Sequence, residues 1–241
     1  MTPNTRSFSG AALMLVIIPM FAGLLACMPV PVGDPERSRI DPGLNGAWVM
    51  ESGSDLLIYQ FLPWDKRTWL MMATEMEIGD EFEGELPDEE TPENYEAVLE
   101  GVSVGDGGIT ASELILYKVW MAKIGGQNFM TWELLGPADE NGRESPEAWF
   151  VFKVSKSDAG RYELLMLNGE SDVFDDIPTE KEYDGDDYAG DMRRKFERAI
   201  KRNLDNEELY AEDPFILHPL SEDAQEGAFE LFGEVMELEN F

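Results

Sequence analysis

The sequence predicts a mainly β protein: an antiparallel, barrel-like or sandwich domain of about eight strands with one or two C-terminal α-helices. Three observations lead there. Short apolar, aromatic or alternating runs recur between residues 46 and 168. Turn-forming sequences separate most of them, and Gly125-Gly126 is the strongest of these. The pattern then changes to helical spacing over 191–203, and Ser221 supplies a cap for a further helix through Glu239.

The expected strands follow in order. Residues 46–52 (GAWVMES) and 55–62 (DLLIYQFL) flank the turn signal Gly53-Ser54, and Pro63 to Lys66 turns the chain into 67–77. A fourth strand is expected at 95–104, after an acidic stretch. Residues 113–124 and 127–135 form a hairpin about the two glycines, and 147–155 and 161–168 form another about 156–160. Mostly short connections favour an antiparallel meander. Met192, Phe196, Ala199, Ile200 and Leu204 share one helical face, with Gly190 and Asp191 as its start. Residues 215–220 are expected as a ninth, edge strand ended by Pro219. Ser221 then caps a last helix, with Glu222 and Asp223 in its first turn. Strands apolar on both faces, such as 114–121, need cover on both sides: a barrel interior on one and a helix on the other. The Trp and Met residues concentrated in these strands suit core packing, or the wall of an apolar ligand cavity.

Composition bounds the function. The chain has 241 residues, which suits one domain of moderate size. With 50 Asp+Glu against 18 Lys+Arg the net charge is −32, which argues against nucleic-acid binding through phosphates. One Cys and one His rule out an intrachain disulfide, a multi-cysteine zinc site and a multi-histidine metal site.

The N-terminus is expected to be an address. Residues 1–10 are polar with one basic side chain, Arg6, and 11–25 form an apolar run broken only by Pro19 and Gly23. That run is shorter than the ~20 residues a membrane-spanning helix needs, and fits a secretory signal. It ends in Leu24-Leu25-Ala26-Cys27, which resembles the bacterial lipobox. The small Ala26 gives a peptidase access, and the thiol of Cys27 is the nucleophile that takes up diacylglycerol. The resemblance implies a signal peptide over 1–26, cleavage between Ala26 and Cys27, a lipid on Cys27 and acylation of the new amino terminus. Two or three chains would anchor the protein stably, where one binds marginally. Met28, rather than Asp, follows the Cys, which by the bacterial sorting pattern implies the outer membrane in a Gram-negative cell. Residues 27–43, with four prolines, read as an extended tether, and 44–241 as a single acidic domain.

Gly46-Ala47-Trp48 opens the first strand of that domain. A G-x-W at this place resembles the lipocalin and calycin families, in which the Gly permits close packing and the Trp plugs the closed end of a barrel. The resemblance implies a ligand cavity with Trp48 at its base; a core Trp in an ordinary strand is the alternative.

The charges are clustered. No Lys or Arg occurs between Arg67 and Lys118, and the acidic stretch around 78–94 reads as a solvated loop. A second acidic run spans 172–191. Both suit an acidic surface that stays soluble and repels other anions, anionic headgroups included. Within the second run, Glu180-Lys181-Glu182-Tyr183-Asp184-Gly185, with Asp191 following, resembles EF-hand spacing. It departs from that loop in having Glu at positions 1 and 3, Asp at 12 and no preceding helix, so no metal is expected. Arg193, Arg194, Lys195, Arg198, Lys201 and Arg202 cluster on the helix that follows. They serve the protein's own acidic surface and solvent, or dock an acidic partner or phospholipid headgroup.

Catalysis finds little support. A Ser-His-Asp set would have to use His218, which stands alone in a short apolar run. No dinucleotide or P-loop fingerprint occurs. The expected protein is therefore a non-enzymatic, lipid-anchored component of the cell envelope, without cofactor, acting as a binding module. Its partner is either a small apolar ligand in the barrel or an envelope protein docked on the basic helix 193–202.

Overall fold

A computed structural model of the chain describes residues 28–52, 55–74, 76–78, 91–92, 94, 96, 99, 109–111, 114–135, 149–178, 183, 185, 187–211 and 213–238. Eight antiparallel strands close into a barrel: β1 (Gly46–Ser52), β2 (Asp55–Pro63), β3 (Trp69–Thr74), β6 (Ile115–Ile124), β7 (Gln127–Leu135), β8 (Trp149–Lys156), β9 (Tyr162–Met166) and β10 (Phe215–Pro219). Their order around the wall is β1-β10-β9-β8-β7-β6-β3-β2. Two short strands, β4 (Met76–Ile78) and β5 (Ile109–Ala111), pair separately beside the long acidic insert. Helix α1 (Tyr188–Arg202) precedes the last strand, and α2 (Glu222–Leu238) follows it. The fold is thus mainly β, antiparallel and barrel-like, with one helix at the C-terminal end and one just before it.

Local chemistry explains the hairpins. Gly125 and Gly126 both have positive φ, +59° and +92°, the mirror-image turn geometry that matches strand twist. Pairing then runs from Ile124↔Gln127 along the length of β6 and β7. The helices have side-chain caps: Asp187 accepts from the Gly190 amide at 3.0 Å, and Ser221 Oγ accepts from the Ala224 amide at 3.2 Å.

Alternation sorts the side chains into three apolar clusters. The first fills the barrel, and includes Trp48, Met50, Tyr59, Phe61, Trp69, Met71, Val119, Met130, Trp132, Phe152 and Leu164. The second covers the outer wall of β6–β8: Trp120, Phe129 and Val151 of the wall meet Met192, Phe196 and Ile200 of α1. The third covers the opposite wall: Val49, Ile58 and Met72 meet Ala224, Ala228, Leu231 and Phe232 of α2, with Leu99. β6 therefore does have the barrel interior on one side and a helical layer on the other. Gly46 has φ +113°, and a Cβ there would lie 2.6 Å from Gln225 Oε1 of α2; the glycine permits this close approach.

Four expectations need correction. The strand expected at 95–104 is not seen: Glu96 and Leu99 are helical, and the rest of that range lies outside the described residues. Leu99 is buried under α2, and Glu96 Oε1 accepts from the Ser221 amide at 2.7 Å, so this segment serves the α2 layer. The strand expected over 67–77 is two, β3 and β4. β10 is no edge strand: it closes the barrel between β1 and β9, and closure leaves no edge. Finally, residues 28–43 are not extended away from the domain. Met28, Val30 and Val32 are buried in the second cluster, and the Val32 carbonyl accepts from both Trp120 Nε1 (2.9 Å) and Thr131 Oγ1 (2.7 Å). We call this segment the strap.

Phe232 is 1% exposed and Phe229, on the same helix, is 47% exposed. Phe232→Ala should cost about 3–5 kcal/mol through cavity formation, whereas Phe229→Ala should change stability by less than about 0.5 kcal/mol. Urea unfolding midpoints measure both.

Candidate functional site: two barrel ends and a basic cleft

One end of the barrel is closed by the chain entering β1. Residues Asp41 to Asn45 reach strands on different sides of the wall. Trp48 Nε1 donates to the Leu44 carbonyl at 2.9 Å, and Trp69 Nε1 donates to Asn45 Oδ1 at 3.0 Å. Tyr162 Oη donates to Asp41 Oδ2, and Lys156 Nζ donates to Tyr162 Oη, both at 2.9 Å. Leu44 is fully buried and Ile40 packs beside it. Trp48 and Tyr162 meet edge-to-face, ring centroids 5.4 Å apart. Burial raises the Tyr162 phenol pKa, against the Lys156 hydrogen bond, and that same bond raises the Lys156 ammonium.

The other end differs. Its inward-facing side chains are Leu57, Ile115, Leu134, Phe150, Met166 and Phe215, one from each of six strands, and all are only partly buried. Below them lies an aromatic floor. Trp132 touches Phe152, Tyr59 and Tyr117 with ring centroids 4.4, 5.6 and 5.7 Å apart. Burial, and then the charge Tyr117 would carry, hold the Tyr59 phenol well above its ordinary pKa, so it stays a neutral hydroxyl. An apolar ring over a floor with phenol groups is the surface an apolar ligand with one polar end would meet.

The third feature is on the outer wall of β6–β8, where strap and α1 lie. Met28 is tied in by its amide, which donates to the Trp149 carbonyl at 2.9 Å. The strap is joined to α1 twice: the Gly33 amide donates to Glu197 Oε1 at 3.1 Å, and Arg193 donates to the Gly33 carbonyl at 3.5 Å. The solvent side of α1 and the β6–β7 turn enclose an open cleft of about 590 Å³ lined by Lys123, Ile124, Gly125, Arg194, Glu197, Arg198 and Lys201. Arg194, Arg198 and Lys201 are spaced i, i+4, i+7 and face away from buried Met192, Phe196 and Ile200. The helix C-terminus favours cations at Lys201 and Arg202. It does not account for Arg194, Arg198 or Lys123. Arg194 pairs with Asp191. Among the described residues, Lys123, Arg198 and Lys201 have no salt-bridge partner.

The six cations expected to act together are thus divided. Arg194, Arg198 and Lys201 line the cleft, Arg193 holds the strap, Lys195 lies 6.0 Å from the Tyr183 ring centroid, and Arg202 is exposed beyond the cleft. Lys123 joins them through tertiary structure, with no local signal in the sequence. Trp48 sits at the closed end, away from the ring of six partly buried side chains. Ala26 and Cys27 lie outside the described residues. So do Glu180, Lys181, Glu182 and Asp184 of the EF-hand-like stretch; its Asp191 is engaged by the Tyr183 hydroxyl and Arg194, in that order of effect, which lowers its pKa. His218 lies half-buried on β10, opposite Val49. One motif escaped the sequence reading: Gly101-Val102-Ser103-Val104-Gly105 has the G-x-S-x-G spacing of a nucleophile elbow. It lies outside the described residues. That motif works at a strand-to-helix turn of an α/β sheet, and the sheet here is an antiparallel barrel.

No protein-family model matches the chain, and no curated protein or solved structure does either.

Tyr183 supplies a pH prediction. Its hydrogen bond to Asp191, then burial, raise its pKa to about 12. A raised phenol stabilises the fold below the unfolded value near ~10, and that contribution is lost as pH rises through about 12. Denaturant midpoints should fall more steeply between those pH values for the native chain than for Tyr183→Phe.

Proposed function

We propose that this chain is a non-enzymatic, lipid-anchored protein of the bacterial cell envelope whose barrel binds a small apolar ligand at its Phe150–Phe215 end. The observation that carries the reading is the asymmetry of the barrel. One end is closed by Leu44, Trp48 and Trp69, whereas the other presents six half-buried apolar side chains above an aromatic floor. Six such side chains form one contiguous apolar patch, and a contiguous patch marks a binding site where scattered single apolar residues do not. An eight-stranded barrel is wide enough for its own side chains or one small ligand; here the lower layers hold side chains, and the ligand would occupy the upper one. The Gly46-x-Trp48 resemblance to lipocalins supports the same reading, and the lipobox supports the anchor.

The anchor has a structural consequence. Met28 is buried and bonded to Trp149, so a lipid on Cys27 would join the domain with no slack between bilayer and barrel wall. It would enter at the Trp149 end of β8, which is also the end of the apolar ring.

Two outcomes are expected. An apolar fluorescent probe such as a naphthylamine should bind with saturation and quench Trp132, and Phe150→Ser should weaken that binding at least ten-fold with the fold retained by circular dichroism. Non-saturating uptake, or equal uptake by the variant, would contradict the site. Metabolic labelling with a radioactive fatty acid should mark the native chain, and Cys27→Ser should remain unlabelled and uncleaved.

A further inference from the structure

We propose that the anchored barrel lies on its side, with the cleft of Lys123, Arg194, Arg198 and Lys201 seated on anionic phospholipid headgroups. The inference rests on lipidation at Cys27 and adds a second attachment point to it. The first observation is position. Strap and α1 cover the same outer wall, linked through Gly33 to Glu197 and Arg193. Met28 is fixed beside Trp149, which pairs with Glu133 of β7, and the cleft is at the turn before Gln127. Glu133 is six residue steps along β7 from Gln127, so anchor and cleft stand roughly 20 Å apart along one wall at ~3.3 Å per residue. Two points held at a planar surface lay that wall down.

The second observation is charge. Arg194 and Arg198 are like charges at i, i+4; Asp191 pairs with Arg194, while Arg198, Lys201 and Lys123 have no salt-bridge partner among the described residues. Among the described residues, Glu197 is the one acid in the cleft lining, set against four cations, and its carboxylate accepts from the Gly33 amide; Asp191 is held by Tyr183 and Arg194, and Asp205 is exposed just past Leu204. Asp172, Asp175 and Asp176 are exposed on the same layer, beside the 3₁₀ turn Asp172–Phe174, and none lines the cleft. Screening over ~8 Å at physiological salt makes the local sign decide contact. The net charge of −32 decides orientation, because the rest of the molecule is repelled by the same surface. The two or three chains expected on Cys27 already hold the protein at the membrane, so the cations select which face meets it, each strengthening contact with an anionic surface about five-fold. Phosphate oxygens also suit the arginine donors lining the cleft.

The test uses the full lipidated chain. Cys27 is the only cysteine, so with its thiol occupied by lipid an introduced cysteine can be spin-labelled selectively. Labels at Gln127→Cys, beside the cleft, and Glu230→Cys, exposed on α2, report distance from a nickel chelate attached to lipid headgroups. In vesicles of phosphatidylcholine and phosphatidylglycerol in equal parts, the Gln127 label should be relaxed several-fold more strongly than the Glu230 label. Pure phosphatidylcholine, molar salt, or the triple variant R194Q/R198Q/K201Q should abolish the difference. Equal relaxation in the mixed vesicles, or stronger relaxation at Glu230, overturns the proposal while leaving the anchor intact. A chain that fails to float with vesicles in molar salt overturns the anchor, and the proposal with it. If added polyglutamate immobilises the Gln127 label and phosphatidylglycerol does not affect it, the cleft takes an acidic polypeptide and the proposal fails.

Discussion

A barrel wall that is apolar on its outside as well as its inside has to be covered, and most of this structure follows from that requirement. Trp120, Phe129 and Val151 face outward on one side, and Val49, Ile58 and Met72 on the other. Burying one such side chain is worth roughly 1.5–3 kcal/mol, and a whole domain is stable by only about 5–15 kcal/mol. Exposing either outer patch would remove most of that margin. The two helices are therefore the second halves of two cores, each shared with one side of the barrel. The same demand draws Met28, Val30 and Val32 onto the wall, which turns the N-terminal segment from a spacer into part of the fold.

Much of this was legible because hairpins are local. Turn residues and alternation are written within ten or so residues, and β1 and β7 have the bounds read from the sequence. The amphipathic face of α1 and the Ser221 cap of α2 were equally local. What escaped depended on distant partners. The prolines between Met28 and Val32 suggested an extended tether, yet Met28, Val30 and Val32 alternate with period two, and that alternation is the half of the signal the wall uses. Residues 95–104 carry apolar groups that suit a strand, but Leu99 and Glu96 answer to α2 and Ser221. β10 looked like an edge because its partners, β1 and β9, lie far away in sequence.

The sites show the same division. The basic helix was visible as composition, but the grouping of its cations was not. Arg193 faces the strap and Lys195 faces Tyr183, while Lys123 arrives from the β6–β7 hairpin to complete the cleft. The six apolar residues of the barrel end come from β2, β6, β7, β8, β9 and β10, and no linear pattern gathers them. Trp48 was singled out from three residues of sequence; in the structure its indole N–H is bonded to the Leu44 carbonyl at the closed end. Closed end, apolar ring and cationic wall each occupy a different part of the surface. The proposed ligand contact and the proposed membrane contact therefore fall on separate parts of the molecule.

The central claim is that the barrel end lined by Leu57, Ile115, Leu134, Phe150, Met166 and Phe215 holds an apolar molecule. Native mass spectrometry of the mature chain, gently purified from the cells that make it, tests this most directly. The account predicts one reproducible added mass of a few hundred daltons, beyond any covalent lipid, released on unfolding and absent from Phe150→Ser. A chain that carries no such mass, and gains none when incubated with lipids extracted from its own envelope, would contradict it.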